Sequence, residues 1–277
     1  MKQKVKISAC LITYNQEDYI KQCIEGALSQ KLDFCYEIVI GDDCSTDGTS
    51  EICQSYQRRF PDLIKYRKRD KNIGMIRNWI KTISDCSGDY LAICEGDDYW
   101  TDPLKLQKQV DFLEANPDYN ICFHEVAVFN QSKNARVPNT ITRRVPETTD
   151  VNDLAKGNFI HTPSVLIRNN FNIPKWFKKS PIGDWSLYML AVKDKKIKKI
   201  EEVMAVYRVH GSSIWSSKPQ ETRILDTILS FELLAQSDQV NSKVRAILET
   251  KILDYKQILQ KKDSVLTHLF KRIKLLF

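Results

Sequence analysis

Residues 36–49, YEIVIGDDCSTDGT, and residues 89–100, DYLAICEGDDYW, decide the fold of this chain. In each, a short apolar, β-rich run ends in Gly-Asp-Asp. An apolar run bounded by turn residues reads as a buried parallel strand. Each acidic pair, Asp42-Asp43 and Asp97-Asp98, is therefore expected at the carboxyl end of a strand. In open α/β sheets that edge is where ligands bind. Clustered carboxylates there repel one another unless a divalent cation or the polar edge of a ligand lies between them. One such pair could be turn and cap chemistry alone; two pairs in equivalent positions point to a site.

Working outward, strand and helix patterns alternate. VKISACLITYN (5–15) reads as a buried strand, and Asn15 as the cap of a helix running to about residue 30. Helices follow at 49–59, from 73 to about 84, and from Pro103 to about 115. LIKYRKR (63–69) is a polar strand suited to a sheet edge, and ICFHEVAVF (121–129) is a further strand. The polar stretch 131–150 reads as a long loop. A short strand at 164–167, a helix at 184–193 and a strand at 197–209 complete the α/β part, and the pattern is helical from 221 onward. The fold class is α/β: a Rossmann-like, mostly parallel sheet flanked by helices, with a helical C-terminal extension. The expected division is 1–215 (halves 1–115 and 116–215) and 216–277.

Composition narrows the function. The chain has 277 residues, 42% hydrophobic and 28% charged, which suits a globular protein with a sizeable core. Its net charge of +7 admits nucleic acid, an anionic membrane surface or a phosphorylated ligand. No zinc-finger spacing or ribonucleoprotein motif supports nucleic acid. No Gly-x-Gly-x-x-Gly or phosphate loop follows the first strand, which argues against a dinucleotide cofactor. The eight cysteines form no Cys-x-x-Cys pair, and several lie in apolar runs, as free thiols in a reducing cytosol do. Met1 to Lys6 lead straight into a strand without a signal-peptide pattern, and no apolar stretch could span a bilayer. A cytoplasmic protein is expected. The stretch 265–277 gathers Leu266, Leu269, Phe270 and Ile273 on one side and Lys271, Arg272 and Lys274 on the other. Such a helix fits a membrane interface, at the inner face of the cell membrane, or a homodimer contact.

The order of motifs resembles the inverting, GT-A-fold glycosyltransferases of family 2, in the type that assembles bacterial polysaccharides. LITYNQEDYI with IEGALSQ, EIVIGDDCSTDGT, LAICEGDDYW, and IGDWSLYML with AVYRVHGSSIWS carry the likeness, over residues 5 to 215. The resemblance implies a nucleotide-sugar donor, UDP-linked by preference, and a saccharide or lipid-linked acceptor of the cell envelope. It implies donor contacts from Thr13, Tyr14, Asn15, Glu17, Asp42, Asp43 and Asp97, and from Asn72, Gly74 and Arg77 in NIGMIRN. It implies a Mn2+ or Mg2+ ion on Asp98, with His210 at the metal or diphosphate. Asp184 would be the general base, although Asp before a helix is also a good cap. Trp100, Thr162, Ser164 and Trp185 would shape the acceptor pocket. His124 reads as packing. Two rivals use similar residues: a sugar-nucleotide nucleotidyltransferase and a non-catalytic binding module of the same fold. The first needs a Gly-rich, basic loop after the first strand, where this chain has TYNQEDYI. The second would be favoured by a missing base or metal ligand, and Asp184 and Asp98 are both present.

Overall fold

The computed structural model describes residues 4–274 except 212, 214 and 216, with side chains through residue 261. One mixed sheet organises the chain. Its strands are β1 (Ile7–Thr13), β2 (Tyr36–Asp42), β3 (Ile64–Lys68), β4 (Tyr90–Glu95), β5 (Tyr99–Trp100), β6 (Tyr119–Asn130), β7 (Ala135–Val137), β8 (Thr148–Thr149), β9 (Leu166–Arg168) and β10 (Lys196–Val209). The main order is β3-β2-β1-β4-β9-β6-β10-β5. Pairing is parallel from β3 through β4 and between β6 and β10, while β9 runs antiparallel to β4 and β6. The polar strand β3 closes one edge, as its Lys and Arg content predicts.

Helices cover both faces: α1 (Ile20–Leu28), α2 (Thr49–Arg59), α3 (Met75–Ser84), α4 (Lys105–Ala115), α5 (Val151–Ala155), α6 (Gly183–Val192), α7 (Gln220–Ala235) and α8 (Ser242–Lys274). Every residue of β1 is buried, and its side chains alternate between two cores. Ala9 and Leu11 pack with α1, α2 and α4, whereas Cys10 and Ile12 pack with α3, α6 and α7. Ile224, Ile228 and Phe231 of α7 and Val244 and Leu248 of α8 join that second core. No disulfide joins any of the eight cysteines.

Several boundaries differ from the sequence expectations, among them the start of α4 at Lys105 rather than Pro103 and of β9 at Leu166. The first helix begins at Ile20, because Asn15 takes a left-handed φ of 51° and its Oδ1 accepts from the Thr46 N–H instead of capping. The third helix begins at Met75, after the Ile73 and Gly74 N–H groups have bonded to Asp43. The 131–150 stretch contains β7 and β8, which hydrogen-bond to β6 and β10. Among the described residues no helix is long and apolar enough to cross a membrane. The amphipathic side chains expected at 265–277 lie outside the described residues.

One close approach fixes the site geometry. A Cβ on Gly26 of α1 would meet the Trp100 backbone at 2.8 Å, so only glycine lets α1 pack against β5, just past the second acidic pair.

Candidate functional site

The carboxyl ends of β1, β2 and β4 open into one cavity of about 830 Å3. Thr13, Tyr14, Asn15 and Gln16 line it after β1, Asp43 after β2, Asn72, Gly74 and Asn78 around the start of α3, and Glu95 and Asp97 after β4. The cavity continues past Asn158, Thr162 and Asp184 to Trp185, Phe231 and Tyr255.

The first acidic pair is split. Asp42 is fully buried and does not line the cavity. Its Oδ1 accepts from the Ser45 N–H (2.8 Å) and hydroxyl (2.6 Å), and its Oδ2 from Ser50 and Tyr66 (2.6 Å each). Burial raises its carboxyl, but these hydroxyl donors outweigh burial and hold it below the ordinary carboxylate range. The structure thus places Asp42 off the cavity, with its carboxylate engaged by the fold. Asp43 does face the cavity, and accepts from the N–H groups of Ile73 and Gly74 at 2.8 Å each. Gly74 has a φ of 87°, a conformation glycine adopts without strain.

Two further residues expected at the donor do not line the cavity. Arg77 is exposed and lies outside the cavity wall, because the next helical position, Asn78, turns inward. There Asn78 donates to the Gly41 carbonyl and accepts from Arg69. Glu17 also lies off the cavity: its Oε2 accepts from the Gly48 N–H at the start of α2, clamping α2 to the β1 loop.

The second acidic pair belongs to a group of three. One carboxylate oxygen from each of Glu95, Asp97 and Asp98 lies within 4.8 Å of the others. Asp97 is 9% exposed and Asp98 1%, and Asp98 sits behind the cavity wall. Oδ1 of Asp97 and Oδ2 of Asp98 are buried without a hydrogen-bond partner. Burial, with the neighbouring negative charges of Asp97 and Asp184, pushes the Glu95 carboxyl up to about 8. Burial likewise raises the Asp98 carboxyl far above its ordinary range, with Asp97 and Glu95 adding to the effect. Unpaired buried oxygens on crowded, hard ligands are what a divalent cation such as Mn2+ or Mg2+ would satisfy, so the residues present fit the metal. The sequence reading passed over Glu95, although its place two residues before Asp97 was a usable signal.

His210 lines the cavity with Nε2 2.8 Å from Asp97 Oδ2, and its ring lies 4.7 Å from that of Tyr19. Arg208, also passed over, braces the acidic loop. Its backbone N–H donates to Asp98 Oδ1 at 2.7 Å, its guanidinium donates to the Asp97 carbonyl and to Gln22 Oε1, and it lies between the rings of Tyr19 and Tyr99.

At the far end, Asp184 sits in the first turn of α6 and accepts from Asn158 Nδ2 at 2.8 Å. Burial pushes its carboxyl up to about 6. Thr162 lines the cavity. Trp185 contributes to the wall, but it is 1% exposed, donates to the Leu154 carbonyl and stacks on Phe231 at 4.4 Å. Two residues expected at the acceptor are packed into the fold instead. Ser164 is fully buried with its hydroxyl on the His161 carbonyl, and Trp100 is buried against Lys105 with Nε1 on the Pro163 carbonyl. Neither lines the cavity. His124 is packed, as expected, with Nδ1 at the Glu125 carbonyl.

The family model described as Glycosyl transferase family 2 matches residues 8–172. An uncharacterized protein of Mycobacterium tuberculosis is 40% identical over 222 residues, 78% of this chain and 62% of that protein, so the match spans about three fifths of the relative's length. Two solved structures share the fold. S. aureus TarS 1-349, in complex with UDP-GlcNAc, has a TM-score of 0.66 at 18% identity, over 91% of this chain and 71% of that one. The mannosyltransferase PcManGT from Pyrobaculum calidifontis, in complex with GDP-Man and Mn2+, has a TM-score of 0.64 at 15% identity, over 91% and 70%.

Proposed function

We propose a sugar transfer for this chain, which belongs to glycosyl transferase family 2: a sugar moves from a nucleotide-sugar to a hydroxyl of a saccharide or lipid-linked saccharide acceptor of the cell envelope. The reaction is a single displacement with inversion at the anomeric carbon. The observation that carries the reading is the pairing, in one cavity, of the Glu95–Asp97–Asp98 group with Asp184.

Each end has its task. Thr13, Tyr14, Asn15, Asn72, Gly74 and Asp43 hold the nucleoside part, offering carboxylate, amide and hydroxyl partners to base and ribose. Asp97, Asp98 and Glu95 would hold Mn2+ or Mg2+, which supplies charge neutralisation for the departing nucleoside diphosphate. His210 stands beside Asp97 on the diphosphate side. Asp184 takes the proton from the acceptor hydroxyl as its oxygen attacks, and Asn158 orients the carboxylate. A base raised to about 6 is ionised at neutral pH yet basic enough to accept that proton.

UDP is the donor nucleotide favoured here, in keeping with the UDP-GlcNAc bound by TarS; GDP is the competitor, given the GDP-Man bound by PcManGT. The transferred group is a hexosyl or N-acetylhexosaminyl unit. The test is a thermal-shift panel of UDP, GDP, dTDP and CMP, each with and without Mn2+. A ligand at a hundred times its Kd stabilises the native state by about 2.7 kcal/mol. One nucleotide should shift the transition, and only with Mn2+. No shift with any of them would overturn the reading.

A further inference from the structure

The cavity carries both signs of charge. Asp43, Glu95, Asp97 and Asp184 line it, and so do Arg143 and Lys156. Lys218 also lines it, paired with Asp226 at 2.7 Å, while Arg143 and Lys156 are gathered by one residue. Arg143 Nη2 donates to the Asp153 carbonyl at 2.6 Å, and Lys156 Nζ lies 3.1 Å from Asp153 Oδ1. The Arg143 guanidinium also sits over the buried ring of Phe159, 4.9 Å from its centroid. A ring and a carbonyl thus hold Arg143 in place, and it pairs with no carboxylate among the described residues. Two residues beyond Lys156, Asn158 donates to Asp184. Lys156 therefore stands on the segment that orients the proposed base, and Arg143 is tied to that segment through the Asp153 carbonyl.

We propose that Arg143 and Lys156 form an anion subsite, and that the acceptor carries a phosphate or carboxylate group close to the hydroxyl that reacts. The proposal rests on the reading of Asp184 as the base. An acceptor hydroxyl reaching Asp184 enters a region that carries the carboxylates of Asp97 and Asp184. A neutral acceptor would gain nothing from two fixed cations at that point. An anionic one would be repelled without them. The planar guanidinium keeps donor N–H groups beyond the one spent on Asp153, and such a fork matches two oxygens of a phosphate or carboxylate. Lys156 adds a point charge that Asp153 offsets in part.

The experiment titrates metal-free protein, so that no bound cation at the Glu95–Asp97–Asp98 group competes for the anion. The probes are glycerol 3-phosphate and glucuronate at constant ionic strength, with glycerol and glucose as neutral controls, followed by NMR. Both anions should bind more tightly than the controls. Binding should weaken at least fivefold in the Arg143→Gln/Lys156→Gln protein, and progressively with added NaCl in the wild type. The tighter anion names the acceptor's charged group. Anions that bind wild type no better than glycerol and glucose would overturn the subsite, as would equal binding to the double variant. The salt series needs no variant, so a folding defect in the double variant does not blunt the test. The nucleotide panel reads the other end of the cavity: a silent panel with intact anion binding would sink the transferase reading and spare the subsite, and the reverse result would do the opposite.

Discussion

The backbone N–H of Arg208 donates to Oδ1 of Asp98 at 2.7 Å, joining positions 110 residues apart. The same residue's side chain reaches the Asp97 carbonyl and Gln22 from between two tyrosine rings. One residue thereby braces both aspartates of the second pair. Outer partners of metal ligands typically change affinity 10–100-fold when removed. Arg208→Ala should weaken Mn2+ binding by roughly that factor, measured by calorimetry. Arg208→Lys should not restore it, since an ammonium lacks the planar fork that stacks and donates at two points.

Asp184→Asn separates catalysis from folding. Transfer should fall by about 10²- to 10⁴-fold, the usual contribution of a positioned general base. The variant should also melt at a higher temperature than wild type. The reason is that folding raises the Asp184 carboxyl from its ordinary value to about 6, so at pH 7 the native state bears the cost of an ionised, buried group. The wild-type rate should rise with pH through about 6, as the base ionises. A variant with full turnover on a defined acceptor would dismiss Asp184 as the base.

Glu95 gives a pH signature to metal binding. Its folded value of about 8 exceeds its ordinary one of 4.5, so the native state holds a proton that the unfolded chain has released between those values. Metal-free stability is therefore expected to fall as pH rises across that window, and to fall less in Glu95→Gln. Mn2+ binding at pH 7 should release protons, detected by calorimetry in buffers of different ionisation enthalpy. The Glu95→Gln protein should release fewer.

Asp42 and Asp43 should behave differently despite being neighbours. Asp42→Asn turns an amide N–H donor toward hydroxyls that need an acceptor, and an unsatisfied buried partner costs about 1–3 kcal/mol. It should lower the melting temperature while leaving nucleotide affinity within a few-fold of wild type. Asp43→Ala should chiefly weaken nucleotide binding, because Asp43 lines the cavity and shapes its Gly74 wall. Equal nucleotide affinities in the two variants would contradict this division.

Much of the architecture was legible locally. Apolar runs of strand length ended by Gly-Asp-Asp placed β2 and β4, and the charged residues of β3 marked an edge. The start of α1 was missed because Asn15 looks like a cap, while its real partner, Thr46, lies 31 positions away. The charge of Arg77 suggests a phosphate partner, yet the turn of α3 presents Asn78 to the cavity instead.

The sequence by itself determined that acidic residues gather at the carboxyl edge of a parallel sheet, since strand periodicity and turn chemistry are properties of neighbouring residues. Only the tertiary structure decided which oxygens face the cavity. Asp42 closes β2 and Asp43 follows it, and their side chains diverge: one faces the cavity and the other turns away. The choice fell on Asp42 because Tyr66, from the adjacent strand, and Ser50, from α2, supply its donors. Burial and hydrogen-bond partners come from segments distant in sequence, and they set whether a carboxylate supports the fold or remains open to a ligand.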